Sequence, residues 1–306
     1  MPTGPRPVEA SAVRGNVREF RFRKLEKPEE FRQVLEVHRA VWGDEGVPSP
    51  LQRAFQDNGG LVLGAFVDIY LAGFAISFLG WDGTTLYHHS HVTAVRPEYQ
   101  NHHLGFRLKA FQRDEVLKLG LSEIRWTFDP LQSRNAWLNV RRLGGIPDRY
   151  FIHYYGQMGD SLNRDMESDR LRLRWEIATP RVEQRLSGLF PTADENLARW
   201  KESVAIVETE VGDQGLRRPT AVAEPTEKLV HLEVPFDLAT VQEHEPDGVR
   251  LWRHAVRDGF RAAFDAGYRV DDFGVITTDH ERRSFYFLSP GPKDGMGGST
   301  AAAPSA

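Results

Sequence analysis

The chain has 306 residues, of which 40% are hydrophobic and 27% are charged, a composition typical of a folded globular protein. Its formal net charge of −4 provides no global positive field that would favour nucleic acid as a partner. The absence of cysteine excludes disulfides, thiolate metal ligands and a cysteine nucleophile. At this length, one large domain or two smaller ones are expected.

Hydrophobic periodicity predicts the secondary structure in chain order. Apolar runs, alternating or continuous, indicate strands over residues 18–24, 60–68, 70–79, 86–95, 122–128 and 170–177. Apolar residues at helical spacing indicate helices over residues 28–42, 104–119 and 133–143. Further along the chain, strands are predicted at 228–234, 268–277 and 283–288, and a helix at 248–266. This order predicts an α/β (α+β) fold, a mixed and mostly antiparallel sheet flanked by helices, with a second, smaller C-terminal α/β unit.

Changes in composition suggest where the domains end. Residues 1–16 and 290–306 are rich in glycine, proline and small residues, so we predict a flexible N-terminus and a disordered tail. Between them lie a predicted first domain, a linker region and a C-terminal unit, over residues 17–178, 179–226 and 227–289. The linker region could hold one helix, at residues 193–204. The N-terminus lacks the apolar core of a signal peptide and no apolar run could span a bilayer, so a cytoplasmic protein without a membrane partner is expected.

The most informative segment is the turn between the fourth strand and the second helix. The strand ends near Val95, a short polar loop follows, and the helix begins at Leu104. Free backbone N–H groups and the positive end of the helix dipole converge at such a turn, which favours an anion such as phosphate. Gly105 would let the anion approach the backbone closely. The geometry alone does not identify the anion.

The residues of this turn resemble the acyl-coenzyme-A motif of the GNAT superfamily of N-acyltransferases. That motif reads Arg or Gln, two free positions, Gly, one free position, then Gly or Ala, and here it spans Gln100 to Gly105. Residues 126–139 also match, and the resemblance extends from about residue 18 to residue 288. The chain is similar to a sparsely characterised branch often encoded beside N-acylamino-acid racemases, for which N-succinylation of amino acids is a proposed role.

The resemblance implies an acyl-CoA-dependent N-acyltransferase, with acetyl-CoA or succinyl-CoA as co-substrate. The acceptor would be the amine of a small molecule such as an amino acid, which attacks the thioester directly. The alternative is a non-catalytic acyl-CoA-binding or regulatory protein. The cofactor-binding residues that the resemblance implies are Val95, Gln100, Asn101, His102, His103, Leu104, Gly105, Phe106, Asn135 and Asn139.

Two residues depart from the family pattern. His103 replaces the first glycine of the motif, where its imidazole could obstruct the pyrophosphate or donate a hydrogen bond to it. Val140 occupies the position at which many members of the family have a tyrosine that protonates the leaving thiolate. A general acid from that position is therefore absent, which leaves the non-catalytic alternative open.

The candidates for catalysis lie near the ends of the fourth and fifth strands. His91 and Asp129 are predicted to act as a base or to contact the substrate amine, although each could instead form a structural hydrogen bond. Tyr154 is a candidate acid, with Tyr155 as an alternative, although packing alone would explain either ring. Arg134 could bind a substrate carboxylate or remain a solvated surface residue.

The sequence predicts neither a metal site nor a second cofactor site. Histidines recur at positions 88, 89, 91, 102 and 103, but a strand followed by a loop would scatter their rings, so no metal is expected. The C-terminal unit could be a degenerate GNAT-like half. Its acidic segment at 242–247 would repel phosphate, so we expect a structural, dimerising or substrate-capping role there, and a homodimer stays open.

Overall fold

The computed structural model describes residues 19–100, 102–156, 167–212, 215–278 and 281–292. The strands are β1 (Arg21–Lys24), β2 (Leu61–Val67), β3 (Tyr70–Trp81), β4 (Leu86–Val95), β5 (Glu123–Phe128), β6 (Ile146–Phe151), β7 (Arg170–Glu176), β8 (Val204–Ala205), β9 (Val207–Val211), β10 (Arg217–Val222), β11 (Val230–Val234), β12 (Tyr268–Thr277) and β13 (Arg282–Pro290). The α-helices are α1 (Pro28–Trp42), α2 (Ser49–Asp57), α3 (Leu104–Lys118), α4 (Ser133–Ala136), α5 (Pro180–Leu186), α6 (Ala193–Glu202), α7 (Leu238–His244) and α8 (Pro246–Asp265). A 3₁₀ turn covers Pro97–Tyr99, and a π-helical segment, Trp137–Arg142, continues α4.

The larger sheet has seven strands in the order β1-β2-β3-β4-β5-β7-β6. Its neighbouring strands are antiparallel except for β4 and β5, which run parallel. The predicted mixed, mostly antiparallel sheet flanked by helices is therefore confirmed. The apolar run of β2 is buried almost throughout, because helices cover both faces of the sheet at that point.

Helices cover the two faces of this sheet differently. On one face, α1 and α2 pack against the first four strands, in a core that includes Phe31, Val34, Val37, Phe74 and Ile76. On the opposite face lie α3, α4 and the π-helical segment, in a core that includes Val116, Ile124, Trp126, Val140 and Trp175. The parallel pair of β4 and β5 lies at the centre of the sheet, between these two helical layers.

The C-terminal unit is a four-stranded sheet in the order β12-β13-β11-β8, and α8 packs on it. The interpretation of this unit as a degenerate GNAT-like half stays a prediction. It shares one continuous hydrophobic core with the first domain, since Trp252 and Phe260 of α8 belong to the same buried cluster as Trp126 and Trp175. The unit is therefore packed against the first domain.

Residues 179–226, which the sequence indicated as a linker region, contain several helices and strands. The predicted helix near 193–204 is present as α6, which begins with a capping box formed by Thr192 and Glu195. The segment also contains α5, β8, β9 and β10. These elements depend on distant partners: β8 pairs with β11, and Ile206 is buried in the main core. A proline-punctuated sequence with weak local periodicity gives no signal of such contacts.

Three further elements were not predicted, namely α2, β6 and α7. Each is short, and two of the three contain a proline or begin beside one. Their stability comes mainly from packing, as where Phe55 of α2 contacts Phe78 of β3 with ring centroids 4.9 Å apart. Hydrophobic periodicity is weak in so short an element, and a neighbouring proline argues against a helix or strand, so the sequence does not predict these elements.

Candidate functional site

The parallel strands β4 and β5 pair over only two positions, His88 with Ile124 and His89 with Arg125. Beyond His89, β4 continues for six residues to Val95 while paired with β3 alone, and β5 continues to Phe128 while paired with β7. The two strands therefore diverge towards their C-terminal ends and leave a V-shaped opening in the centre of the sheet. Along this opening, the facing edges of β4 and β5 present backbone N–H and C=O groups that a ligand could bind.

A shift in the register of β3 and β4 lies beside this opening. Ile76 pairs with Val92 and Ser77 pairs with Ser90, so His91 is an extra residue without a partner on β3. Such a bulge bends a strand and changes the direction of its side chains, and bulges are frequent near active sites. Here it leaves the His91 side chain partly open to solvent and partly covered by Phe78 and His89, on the face of the sheet where α1 and α2 lie.

From the open end of the V, a short loop leads from β4 into the first turn of α3. His103 is the N-terminal cap of this helix and adopts a left-handed backbone conformation with φ of 55°, a region in which glycine is favoured. Its side chain makes no capping hydrogen bond, so it does not bind the N–H groups of the first turn. His102, His103 and Arg107 are exposed around these groups. The turn therefore combines a helix N-terminus with potential side-chain donors.

The π-helical segment forms the other wall beside α3. Gly105 faces Leu138, and a Cβ atom added at Gly105 would lie 4.0 Å from a methyl carbon of Leu138. Asn135 is exposed on α4, whereas Asn139 is buried and its carbonyl accepts a hydrogen bond from Gly145. Of the predicted cofactor-binding residues in this region, Asn135 is the accessible side chain and Asn139 is largely enclosed.

Histidine and aromatic side chains cluster on the opposite face of the opening. The ring centroids of His89 and His91 lie 5.0 and 6.0 Å from that of Phe78, and 6.3 Å from each other. Desolvation, with a smaller contribution from the neighbouring His91, lowers the pKa of His89 to about 4. Desolvation also lowers the pKa of His91, with a smaller contribution from His38. Both rings are therefore neutral at neutral pH.

His38, on α1, completes this cluster. Its ring packs against Trp42 with centroids 4.5 Å apart, and its Nδ1 lies 2.7 Å from a carboxylate oxygen of Asp44. The turn after α1 closes tightly over the ring, because a Cβ atom at Gly46, where φ is 63°, would lie 2.5 Å from it. Its part in this cluster depends on the packing of α1 against the face of the sheet that carries His91.

Asp129 lies at the end of β5, as predicted, but its carboxylate is already bound. Both oxygens accept hydrogen bonds from Arg253 of α8, at 2.6 and 2.8 Å, and one of them also accepts from the backbone N–H of Leu131. The side chain is buried. Proton abstraction by Asp129 would require this pair to break, so the geometry favours the structural alternative for this residue.

The two candidate tyrosines follow β6. Tyr154 packs against Phe151 and Tyr155, with ring centroids 4.8 and 4.7 Å away, and burial raises its pKa. The hydroxyl of Tyr155 lies 3.1 Å from that of Thr127, on the diverging part of β5. The structure therefore brings Tyr155 to the opening through a contact between residues 28 positions apart, which the sequence gives no means of detecting.

The remaining predicted residues are placed as follows. Val95 ends β4, Gln100 follows the 3₁₀ turn and donates a hydrogen bond to the carbonyl of Val95, and Leu104 and Phe106 lie in the first turn of α3. Arg134 is exposed on α4. Asn101 lies outside the described residues. Their roles as ligand-binding residues stay predictions.

His88 and His102 lie apart from the cluster formed by His38, His89 and His91. His88 is buried with its Nε2 3.1 Å from the carbonyl of Gly59, while His102 lies near Phe20, 6.1 Å between ring centroids. Within the described ranges, no group of three or more histidine, aspartate or glutamate side chains is placed to hold a metal ion. Over the same residues, no helix is both long enough and apolar enough to cross a membrane.

Comparisons with known proteins give only distant similarities. No family model and no curated protein matches the chain. Among solved structures, the ribosomal-protein-S18-alanine N-acetyltransferase of Escherichia coli is 18% identical, with a TM-score of 0.44, over 53% of this chain and 96% of its own. An acetyltransferase of the GNAT family from Streptococcus pneumoniae is 14% identical, with a TM-score of 0.42, over 51% of this chain and 98% of its own. NAA60 of Arabidopsis thaliana, in complex with acetyl-CoA, is 11% identical, with a TM-score of 0.42, over 52% and 99%. Similarity at this level establishes neither a family nor an activity for this chain.

Proposed function

We propose that this protein is an acyl-CoA-dependent N-acyltransferase that uses the opening between β4 and β5 to hold the thioester. The observation that supports this most is the divergence of these strands directly beyond the His89–Arg125 pair, with the first turn of α3 at the open end. One extended ligand with phosphates at one end and amide groups along its length would satisfy both features. Acyl-CoA has this chemistry.

In this proposal, the first turn of α3 binds the pyrophosphate. The N–H groups of Leu104, Gly105 and Phe106 lack partners earlier in the helix, and the helix dipole adds partial positive charge. Arg107 follows in the same turn and is exposed. A phosphate seated here would direct the pantetheine arm between the diverging strands, where its amides could bond with the free edge of β4.

The amine acceptor would approach from the opposite face, where His91 lies. An amine must be neutral to attack a thioester, so a base has to remove its proton. The neutral imidazole of His91 can accept that proton, because desolvation holds its pKa below the usual 6.5. Backbone N–H groups along the free edge of β4 would stabilise the oxyanion that forms on the thioester carbonyl.

The finer features of the proposal rest on the sequence resemblance. They are acetyl-CoA or succinyl-CoA as the donor and a small-molecule amine such as an amino acid as the acceptor. Arg134 is exposed on α4 and would pair with a substrate carboxylate.

Binding and turnover test the proposal in two steps. Thermal unfolding is measured with CoA, acetyl-CoA and succinyl-CoA, and thiol release is then followed with a panel of D- and L-amino acids. We expect a higher melting temperature with at least one CoA species and thiol release that depends on an amine. Stabilisation without turnover would favour the second candidate, a non-catalytic acyl-CoA-binding protein. This candidate remains because Val140 stands where the family pattern has a tyrosine. A melting temperature that no CoA species changes would refute both.

A further inference from the structure

Lys109 lies in the second turn of α3 and directs its side chain into the sheet. The residue is only 4% exposed. Its Nζ donates hydrogen bonds to Oγ of Ser90 at 2.9 Å and to Oε1 of Gln112 at 2.7 Å, and lies 3.6 Å from the centre of the Trp126 ring. The ammonium group is thus enclosed by β4 through Ser90, by β5 through Trp126, and by its own helix, α3.

These neighbours place Lys109 at the apex of the opening. His89 and Arg125 form the last parallel pair, so Ser90 and Trp126 are the first residues on each strand beyond it. Both turn their side chains towards α3, and Lys109 contacts both. The ammonium group therefore spans the point at which β4 and β5 begin to separate.

The charge of Lys109 has no counterion in the part of the chain that the structure describes. Its polar neighbours are a hydroxyl and an amide, Trp126 and Trp175 face it from β5 and β7, and no carboxylate contributes to its pKa. The titratable groups nearby are His88 and His89 of β4, whose pKa values are lowered by burial and further by Lys109. Burying a lysine without a counterion is costly unless the site uses its charge or its proton.

We propose that Lys109 and Ser90 form the relay that protonates the leaving CoA thiolate, an inference that rests on the acyl-CoA function proposed above. The amine nitrogen bonds to the thioester carbon, and His91 takes the amine proton. The tetrahedral intermediate then collapses and the C–S bond breaks. The thiolate takes a proton from Oγ of Ser90, which is replaced at once by a proton from Nζ of Lys109.

The protons balance over one turnover. His91 has gained one proton and Lys109 has lost one, and both return to their starting states by exchange with solvent after CoA leaves. Ser90 contacts the sulfur in this scheme and is the catalytic residue, whereas Lys109 acts through it and is a positioning residue that also stores the proton. Desolvation lowers the pKa of Lys109 well below its usual value, so its ammonium form releases a proton more readily than that of an exposed lysine.

The position of Val140 is consistent with this route. Its side chain is completely buried in the main core, so no proton can come from the position where the family pattern has tyrosine. Ser90 is 5% exposed and its hydroxyl, which lies between Lys109 and Gln112, can turn from Gln112 towards a sulfur in the opening. The chain thus carries a proton donor on the α3 side of the opening.

Ionisation of bound CoA tests the relay without an acceptor amine. The ultraviolet absorbance of the thiolate is titrated against pH for CoA bound to the wild-type chain and to Lys109→Met. In the wild type, the adjacent ammonium group should make bound CoA ionise at a lower pH than free CoA. In Lys109→Met, bound CoA should ionise at a higher pH than free CoA, because the site is apolar and has lost its charge.

Turnover of acetyl-CoA with the amino-acid panel gives the second measurement. The rate of the wild type should fall at alkaline pH as Lys109 loses its proton. Lys109→Met and Ser90→Ala should each lower kcat by about 100-fold and remove this alkaline fall. The matched control, Gln112→Met, alters the same pocket but keeps the relay, so its alkaline fall should remain. Circular dichroism and thermal unfolding establish that each variant is folded.

The outcomes separate the two proposals. Bound CoA that ionises alike in the wild type and in Lys109→Met overturns the relay but leaves the acyltransferase proposal standing. The same conclusion follows if both relay variants keep the alkaline fall and a kcat near that of the wild type. Failure of the wild-type chain to bind CoA overturns the acyltransferase proposal and the relay with it.

Discussion

The guanidinium group of Arg253 and the carboxylate of Asp129 form a buried pair with two hydrogen bonds, of 2.6 and 2.8 Å. The pair joins α8 of the C-terminal unit to the segment that follows β5. It thereby fixes the end of the strand that forms one side of the candidate site. The arrangement assigns Asp129 to the packing of the two units.

Removing one partner of this pair should destabilise the whole chain. Arg253→Met leaves a buried carboxylate without its cationic partner, and we expect the free energy of unfolding to fall by about 3–5 kcal/mol in urea titrations. The double variant Asp129→Leu with Arg253→Met should lose less than Arg253→Met alone, because no charge is left buried. The control Arg250→Met removes an exposed ion pair with Asp247 and should change stability by less than about 1 kcal/mol. A double variant no more stable than Arg253→Met would contradict this account.

His91 should determine the acid side of the pH–rate profile. Its imidazole accepts a proton only when neutral, and its pKa is lowered below 6.5, so activity should fall as the pH decreases through that lowered value. His91→Gln should reduce kcat/KM by about 100-fold or more while CoA affinity stays nearly constant. His89→Gln alters the neighbouring ring of the same cluster and should keep most of the activity. Full activity of His91→Gln would exclude this residue as the base.

His103 should impose a cost on folding because of its backbone conformation. With φ of 55°, His103→Gly should raise the free energy of unfolding by about 1 kcal/mol, measured by urea denaturation without ligand. CoA affinity of the same variant, measured by calorimetry, decides what the imidazole does. Weaker binding would indicate a hydrogen bond to phosphate, and tighter binding would indicate obstruction. A loss of stability would show that the side chain makes contacts that outweigh the strain.

The two tyrosines after β6 should differ in their effect on activity. Tyr155 reaches Thr127 on the diverging part of β5, whereas Tyr154 packs against Phe151 and Tyr155. Tyr155→Phe removes a hydroxyl at the opening, so we expect KM for the amine to rise by about tenfold, the effect of one lost hydrogen bond. Tyr154→Phe should leave KM nearly unchanged. Equal effects of the two substitutions would show that the Tyr155 hydroxyl has no special position.

His231 should make the fold sensitive to acid. Burial lowers its pKa to about 4, from 6.5, and Arg283 contributes. Between these two pH values the unfolded state binds more protons than the folded state, so stability is complete above pH 6.5 and falls as the pH decreases towards 4. The loss from this group is at most about 3 kcal/mol. His231→Phe should have a shallower decline over this pH range in urea titrations. An unchanged decline would assign the effect to other groups.

Local sequence patterns were sufficient for the elements that surround the opening. The apolar runs of β2 to β5 and the helical spacing in α1 and α3 predicted these elements within a few residues of their observed bounds. The polar loop before Leu104 indicated an anion site, because the N–H groups at a helix terminus depend only on the neighbouring backbone. His91 was identified from its place on β4 and from the resemblance, and the structure puts it beside the opening.

The tertiary structure alone decided which side chains meet at the opening and which are already paired. Asp129 and Arg253 are 124 positions apart, and Lys109 reaches Ser90 across 19 positions and Trp126 on another strand. Residues 179–226 gained their strands in the same way, from β11 and the shared core. Hydrophobic periodicity indicates which face of a helix or strand is buried. Which residues pack against that face depends on the order of the strands in the sheet. The sequence by itself therefore determined the strand–loop–helix that could bind an acyl-CoA. Only the tertiary structure placed the buried Lys109 at the apex of the opening between β4 and β5 and paired Asp129 with Arg253.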